Sequence, residues 1–111
     1  AELAARMSSY ELAFRMQEEM PQVLNLDQES AATREMYGLT SPNPDAVAFG
    51  KRCLLARRLI ESGVRFVQVW SGPQGAVGNW DNHASIPNEL PPMAASVDRP
   101  IAALLRDLKA R

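Results

Sequence analysis

The sequence predicts an α/β domain in which amphipathic helices flank a mostly parallel β-sheet. Residues 64–70 are rich in β-branched and aromatic side chains and alternate only weakly, which is typical of a strand covered on both faces. This segment follows directly on an amphipathic helix closed by Gly63. One strand cannot form a sheet, so we expect its pairing partners outside the 111 residues and treat residues 1–111 as a single incomplete domain.

The first element is predicted as a helix over residues 2–20. Pro21 should end it, because proline cannot donate to the helical ladder. Ser8 and Glu11 have the spacing of a capping box, so either a new helix starts at Ser8 or one helix continues through it. The apolar side chains that define its face are Leu3, Met7, Tyr10 and Phe14.

A second helix is predicted over residues 28–37, with Asp27 as its N-cap and Gly38 after its C-terminus. A third is predicted over residues 44–62, because Pro44 suits the first helical position. Its apolar arc comprises Ala48, Phe49, Cys53, Leu55, Ala56, Leu59 and Ile60, and its solvated arc comprises Lys51, Arg57, Arg58 and Glu61.

Arg52 is the exception on this third helix, since it falls within the apolar arc. It is either a snorkelling or internally paired arginine, or an anion-binding side chain that reaches a site. Cys53 lies on the buried arc and is predicted to be an inert core thiol.

Residues 71–79 form a glycine-rich loop that lacks the Gly-Lys-Ser/Thr of a phosphate-binding P-loop. The last helix is predicted from Pro91 or Pro92 to the end of the chain, and Pro100 either kinks it or starts a new helix.

Composition excludes several classes of partner. The net charge is −1 and no block of five like charges occurs, so the sequence predicts no nucleic-acid partner and no anionic-membrane partner. No apolar run approaches the roughly 20 residues of a membrane span. If the chain folds alone, the exposed edges of its strand should make it self-associate.

Asp81 and His83 are the candidate metal ligands. They follow the predicted strand, and ligands of open α/β sheets bind beyond the carboxyl ends of strands. Two residues apart, their side chains point the same way in an extended segment, and a carboxylate with an imidazole suits zinc, manganese or iron. The alternative is an Asx-turn beside a surface histidine.

Other catalytic arrangements are weaker. A triad of His83 with Ser71 or Ser85 has nothing to orient it, and a cysteine–histidine pair would need the core residue Cys53. No pair of carboxylates is singled out for acid–base chemistry.

Longer motifs resemble a known family. Residues 49–59 (Phe-Gly-Lys-Arg-Cys-Leu-Leu-Ala-Arg-Arg-Leu) and 61–69, together with residues 10–17, 37–39 and 99–108 and the Trp80-Asp81-x-His83 motif, are similar to the domain-of-unknown-function family 1501, a bacterial family of uncharacterised sulfatase-like proteins. The matches cover most of the chain in the family's order.

This resemblance implies an internal segment of an alkaline phosphatase and sulfatase type of domain, whose active members bind divalent metals and cleave sulfate or phosphate esters. Asp81 and His83 would then hold one metal (zinc, manganese or calcium), and Trp80 would be a packing or orienting neighbour rather than a ligand. Arg52 would hold the anionic group of a small ester substrate. Family members are often exported. The alternative is a non-catalytic exported binding or surface protein.

The resemblance also indicates what residues 1–111 do not contain. The superfamily's nucleophile segment would precede Ala1, and a Gly-Glu-Phe-Gly-Arg-Thr-Pro run and an Asp-His segment would follow Arg111. We therefore expect these residues to be inactive by themselves.

Overall fold

Four α-helices make up the architecture of this computed structural model, which describes residues 1–72 and 79–111. They are α1 (Glu2–Leu24), α2 (Ala31–Met36), α3 (Pro44–Glu61) and α4 (Ile86–Ala110), with a 3₁₀ turn at Leu26–Gln28 between α1 and α2. Helix α3 packs mainly against α4 and less extensively against α1. None of the helices in these two described ranges is long and apolar enough to cross a membrane.

The predicted α/β class is wrong, because the described chain is all-helical and contains no strand. Residues 66–70 alternate in exposure: Phe66 and Trp70 face solvent, whereas Val67 and Val69 are half-buried and Val69 packs on the core. A strand, however, is defined by backbone pairing, and the segment meets no second strand among the described residues. Local β-propensity without a neighbour gives no sheet.

Helix α1 runs through Ser8 and continues past Pro21 to Leu24, so the predicted end at residue 20 is wrong. The reason lies in its last turn. Arg58 donates to the carbonyl oxygens of Gln22 (2.6 Å) and Val23 (2.8 Å), and Gln22 also accepts from the backbone amide of Asn25 at 3.3 Å. The side chain of Arg58 therefore stabilises the turn that Pro21 weakens.

Where one helix was predicted over residues 28–37, the structure has a 3₁₀ turn (Leu26–Gln28) followed by the short helix α2. Asn25, not Asp27, caps the 3₁₀ turn, and Ser30 caps α2 by accepting a hydrogen bond from the amide of Thr33 at 3.0 Å. Gly38 has φ 77° after α2, as predicted for a residue in the left-handed region.

Helix α3 begins at Pro44 as predicted and ends one residue early, at Glu61. Helix α4 begins at Ile86, several residues before the predicted Pro91, and is continuous through Pro100. Its buried side is formed by the small residues Ser96, Pro100 and Ala103, which let it lie close to α3. Cys53 is 1% exposed and burial raises the pKa of its thiol to about 11, so the prediction of a core thiol is confirmed.

The predicted solvated arc of α3 is wrong at Arg57, which is buried with an exposed fraction of 4%. Its guanidinium lies 2.7 Å from Glu29, 2.6 Å from Glu61 and 3.2 Å from Asp107. Only the contact with Glu61 has hydrogen-bond alignment, so the other two are ion pairs by distance alone. Asp107 also accepts a hydrogen bond of 2.9 Å from the fully buried Tyr37. We call these five residues the Arg57 cluster.

The Arg57 cluster makes stability sensitive to acid. Burial raises the pKa of Glu29, but the hydrogen bond from Arg58 and the positive charge of Arg57 outweigh it and hold that pKa below its ordinary 4.5. Burial likewise raises the pKa of Asp107, and the hydrogen bonds from Arg111 and Tyr37 bring it below 3.8. A lowered folded-state pKa gives stability that is complete above the unfolded value and is lost as the pH falls through the folded value.

We therefore expect the melting temperature to fall as the pH drops below about 4.5. Circular dichroism at a series of pH values measures it. A Glu29→Gln variant should start from a lower melting temperature and show a flatter acid dependence. Equal slopes for the two proteins would contradict the role of Glu29.

Candidate functional site

The candidate site lies in the segment between Gly72 and α4, on the outside of the helical body. Asp81 and His83 are both well exposed, with side-chain exposed fractions of 60% and 80%. The structure brings them together: Asp81 Oδ1 lies 2.8 Å from His83 Nδ1. The prediction that both side chains point the same way is confirmed, although the segment is not the end of a strand.

This hydrogen bond determines which ring nitrogen of His83 is available. An ionised carboxylate only accepts hydrogen bonds, so Nδ1 carries the proton that is donated to Asp81. In the neutral imidazole, Nε2 then has the lone pair, which is the form that binds metals. A carboxylate that holds the far nitrogen of a metal-binding histidine is a recurrent arrangement.

Trp80 is positioned by contacts on both sides of the segment. Its Nε1 donates to Ser71 Oγ at 2.8 Å, and its backbone amide donates to Asn79 Oδ1 at 2.9 Å. The first bond joins the two ends of the loop predicted over residues 71–79. Residues 73–78 of that loop lie outside the described residues. Trp80 itself is therefore held in place, and its predicted role as a packing or orienting neighbour of Asp81 and His83 stays a prediction.

As a metal site, the pair is chemically suitable but incomplete. An imidazole nitrogen suits zinc or manganese, whereas calcium prefers oxygen ligands throughout. Within residues 1–72 and 79–111, no group of three or more His, Cys, Asp or Glu side chains is arranged to hold a metal ion. Asp81 and His83 therefore fit part of a ligand set, and further ligands would have to come from elsewhere.

Arg52 does not join this pair. It is exposed on α3, and its Nη1 donates to the backbone oxygen of Trp70 at 3.1 Å. It lines a cavity of about 380 Å³ between α3 and α4, whereas Asp81 lines a smaller one of about 230 Å³. Both cavities are bordered by Pro92 and Met93, so Arg52 and Asp81 face neighbouring but separate spaces. The exposed position of Arg52 and its bond to Trp70 agree with the first alternative, a snorkelling or internally paired arginine, and its role as an anion-binding residue stays a prediction.

Glu89 is a site residue that sequence reasoning missed. It lines the same cavity as Asp81, and its Oε2 is buried without a hydrogen-bond partner. It lies in the first turn of α4, where the helix dipole favours a carboxylate. The signal was present in the sequence as an acidic residue after Pro87, but the predicted start of the helix at Pro91 placed Glu89 in a loop.

The alternative catalytic arrangements are not formed. Ser71 Oγ accepts from Trp80, and Ser85 Oγ accepts from Asn88 Nδ2 at 2.8 Å, so neither serine is engaged with His83 in the described chain. Cys53 is sealed in the core.

Comparison with known families supplies the identity that the geometry alone does not. A family model described as Protein of unknown function (DUF1501) matches residues 1–111. The chain belongs to the DUF1501 family. No curated protein and no solved structure shows significant similarity to it. Membership in DUF1501 confirms the family part of the resemblance, and the relation to sulfatases stays a prediction.

Proposed function

We propose that this DUF1501 chain contributes ligands to a metal-dependent hydrolase that cleaves sulfate or phosphate esters. One observation carries the proposal: the carboxylate of Asp81 holds Nδ1 of His83 and leaves Nε2 directed away from it in an exposed segment. The resemblance to sulfatase-like proteins supplies the reaction class. A bound divalent metal would supply Lewis acidity toward the ester oxygens.

The roles of individual residues follow from their positions. His83 would bind the metal through Nε2, and Asp81, which holds Nδ1 on the opposite side of the ring, would fix the orientation of the imidazole. Arg52, whose other guanidinium nitrogens are not used by Trp70, would attract the anionic ester from the neighbouring cavity.

Metal content tests the proposal directly. Elemental analysis of the native protein should find a stoichiometric metal that is lost in His83→Ala. Asp81→Asn keeps an acceptor for Nδ1 but removes the charge, so we expect metal affinity to fall by about 10- to 100-fold. Asn82→Ala, between the two, is the matched control and should keep the metal. Retention in both His83→Ala and Asp81→Asn would show that these residues are not ligands.

Hydrolysis of 4-nitrophenyl sulfate and 4-nitrophenyl phosphate tests the reaction class. Arg52→Ala should raise KM for the active ester more than it lowers kcat, and Lys51→Ala, one residue away and also exposed, is its control.

A second candidate is a non-catalytic exported binding protein. It is favoured by the incomplete ligand set among the described residues and by the high exposure of the pair. A native protein that takes up no metal after loading with zinc, manganese or calcium, and that cleaves neither ester, would support this candidate against the hydrolase.

A further inference from the structure

Helix α1 carries apolar side chains on two opposite faces. The first face contacts the rest of the protein, because Leu12, Met16, Met20 and Val23 line a cavity of about 310 Å³ shared with residues 62–65. At about 100° per residue, a second set of apolar side chains lies on the opposite side of the helix and points away from that contact. Its members are Leu3 (72% exposed), Met7 (63%), Tyr10 (78%) and Phe14 (60%).

The second face requires a partner. Helix α1 has no buried residue along its 23 positions. Isolated helices of this kind are marginal in water, and most helical stability comes from packing an apolar face. A contiguous row of exposed large apolar side chains marks an interaction site on a folded protein.

We propose that a second copy of this chain covers this face, with residues 3–14 of the two α1 helices forming a short parallel coiled coil. The four exposed side chains follow each other at steps of four, three and four, which is the spacing of a coiled-coil seam. Met7 and Phe14 take the a positions, and Leu3 and Tyr10 take the d positions.

The flanking charges select a second copy in parallel orientation. Arg6 occupies the g position and Glu11 the following e position, so in a parallel pair each Arg6 meets the partner's Glu11. In an antiparallel pair over residues 3–14, Glu11 would instead face Ala4 of the other copy, and the ion pair with Arg6 would be lost. In the single chain, Arg6 contacts Glu2 at 2.8 Å, but both side chains are well exposed and this pair is weak.

The rest of the protein is placed so that two α1 helices can meet in this way. The rest of the protein contacts α1 through its C-terminal half and through the face opposite to the seam. Two copies joined along residues 3–14 therefore place their bodies on the outer sides of the helix pair, where they do not meet. This surface replaces the strand edges from which self-association was predicted.

Sedimentation equilibrium over a wide range of concentrations tests the proposal. We expect a monomer–dimer equilibrium that Tyr10→Glu weakens by at least about tenfold, because a central aromatic anchor is lost and two charges meet. Ser8→Glu adds the same charge on α1 away from both apolar faces and should leave the dimer intact. Circular dichroism confirms that each variant keeps its helix content.

Charge reversal tests the orientation. Arg6→Glu and Glu11→Arg should each weaken the dimer, and the two together should restore it, because the ion pair is then reversed. Leu3→Cys should form a disulfide between two copies under mild oxidation, since residues at position 3 adjoin only in the parallel pair; the native Cys53 is buried. A monomer at all concentrations, a dimer indifferent to Tyr10→Glu, or a double reversal that fails to restore it would overturn the proposal.

Discussion

Replacing Arg57 with methionine should lower the free energy of unfolding by about 3 kcal/mol, the lower end of the range for breaking a buried ion pair. The guanidinium is 4% exposed and contacts Glu29, Glu61 and Asp107. Burial disfavours the charged form of Arg57, but its ion pair with Glu29 and its hydrogen bond to Glu61 outweigh this and raise its pKa. Methionine fills a similar volume, so the expected loss of stability comes from the carboxylates that no longer have Arg57 as a partner.

The expected loss is at the lower end of that range because other donors remain. Glu29 keeps Arg58 at 2.5 Å, and Asp107 keeps Arg111 at 3.0 Å and Tyr37 at 2.9 Å. Each carboxylate therefore stays partly compensated.

Urea denaturation measures this effect from the shift in midpoint. Lys51→Met, on the exposed side of the same helix, is the matched control and should change stability by less than about 0.5 kcal/mol. Glu29→Leu combined with Arg57→Met should recover part of the loss, because the buried carboxylate is removed with its partner. Equal effects of Lys51→Met and Arg57→Met would show that the Arg57 cluster is solvated in solution.

The helices could be predicted wherever local rules determine them. Pro44 at the first position and the left-handed Gly63 bound α3 within one residue. Residues 64–70 show the limit of such rules, because their β-propensity is a local property and their pairing is not. The burial of Arg57 could not be predicted from the sequence either. Its partners Glu29 and Asp107 are 28 and 50 positions away in the chain, and the periodicity of α3 carries no information about such distant residues.

The candidate site, too, could be predicted only where it depends on residues close together in the sequence. The contact between Asp81 and His83 was predictable, because it depends on a separation of two residues. The separation of Arg52 from that pair was not, because it depends on where Pro92 and Met93 of α4 lie between them. The two apolar faces of α1 could not be told apart from the sequence. Leu3, Met7, Tyr10 and Phe14 have the spacing of an ordinary core face, and only the structure shows that the rest of the protein packs on the opposite face.

Gly50 is the position where local propensity and packing make opposite predictions. Alanine is preferred over glycine inside a helix by about 1 kcal/mol, so propensity alone predicts that Gly50→Ala stabilises α3. A Cβ atom at this position, however, would overlap the backbone oxygen of Tyr37 and lie 3.2 Å from Leu39 Cδ1. The first contact is with backbone at the end of α2, so the helices must separate to relieve it.

We expect packing to dominate, with overpacking near the upper end of its usual 1–3 kcal/mol and a net loss of about 2 kcal/mol for Gly50→Ala. Ala48→Gly, at an exposed position on the same helix, is the reciprocal control and should lose about 1 kcal/mol from propensity alone. Urea denaturation distinguishes the effect of helix propensity from that of the clash. Propensity alone would raise the free energy of unfolding of Gly50→Ala, whereas the clash lowers it. A Gly50→Ala variant as stable as the wild type, or more so, would mean that α2 and α3 do not approach this closely in solution.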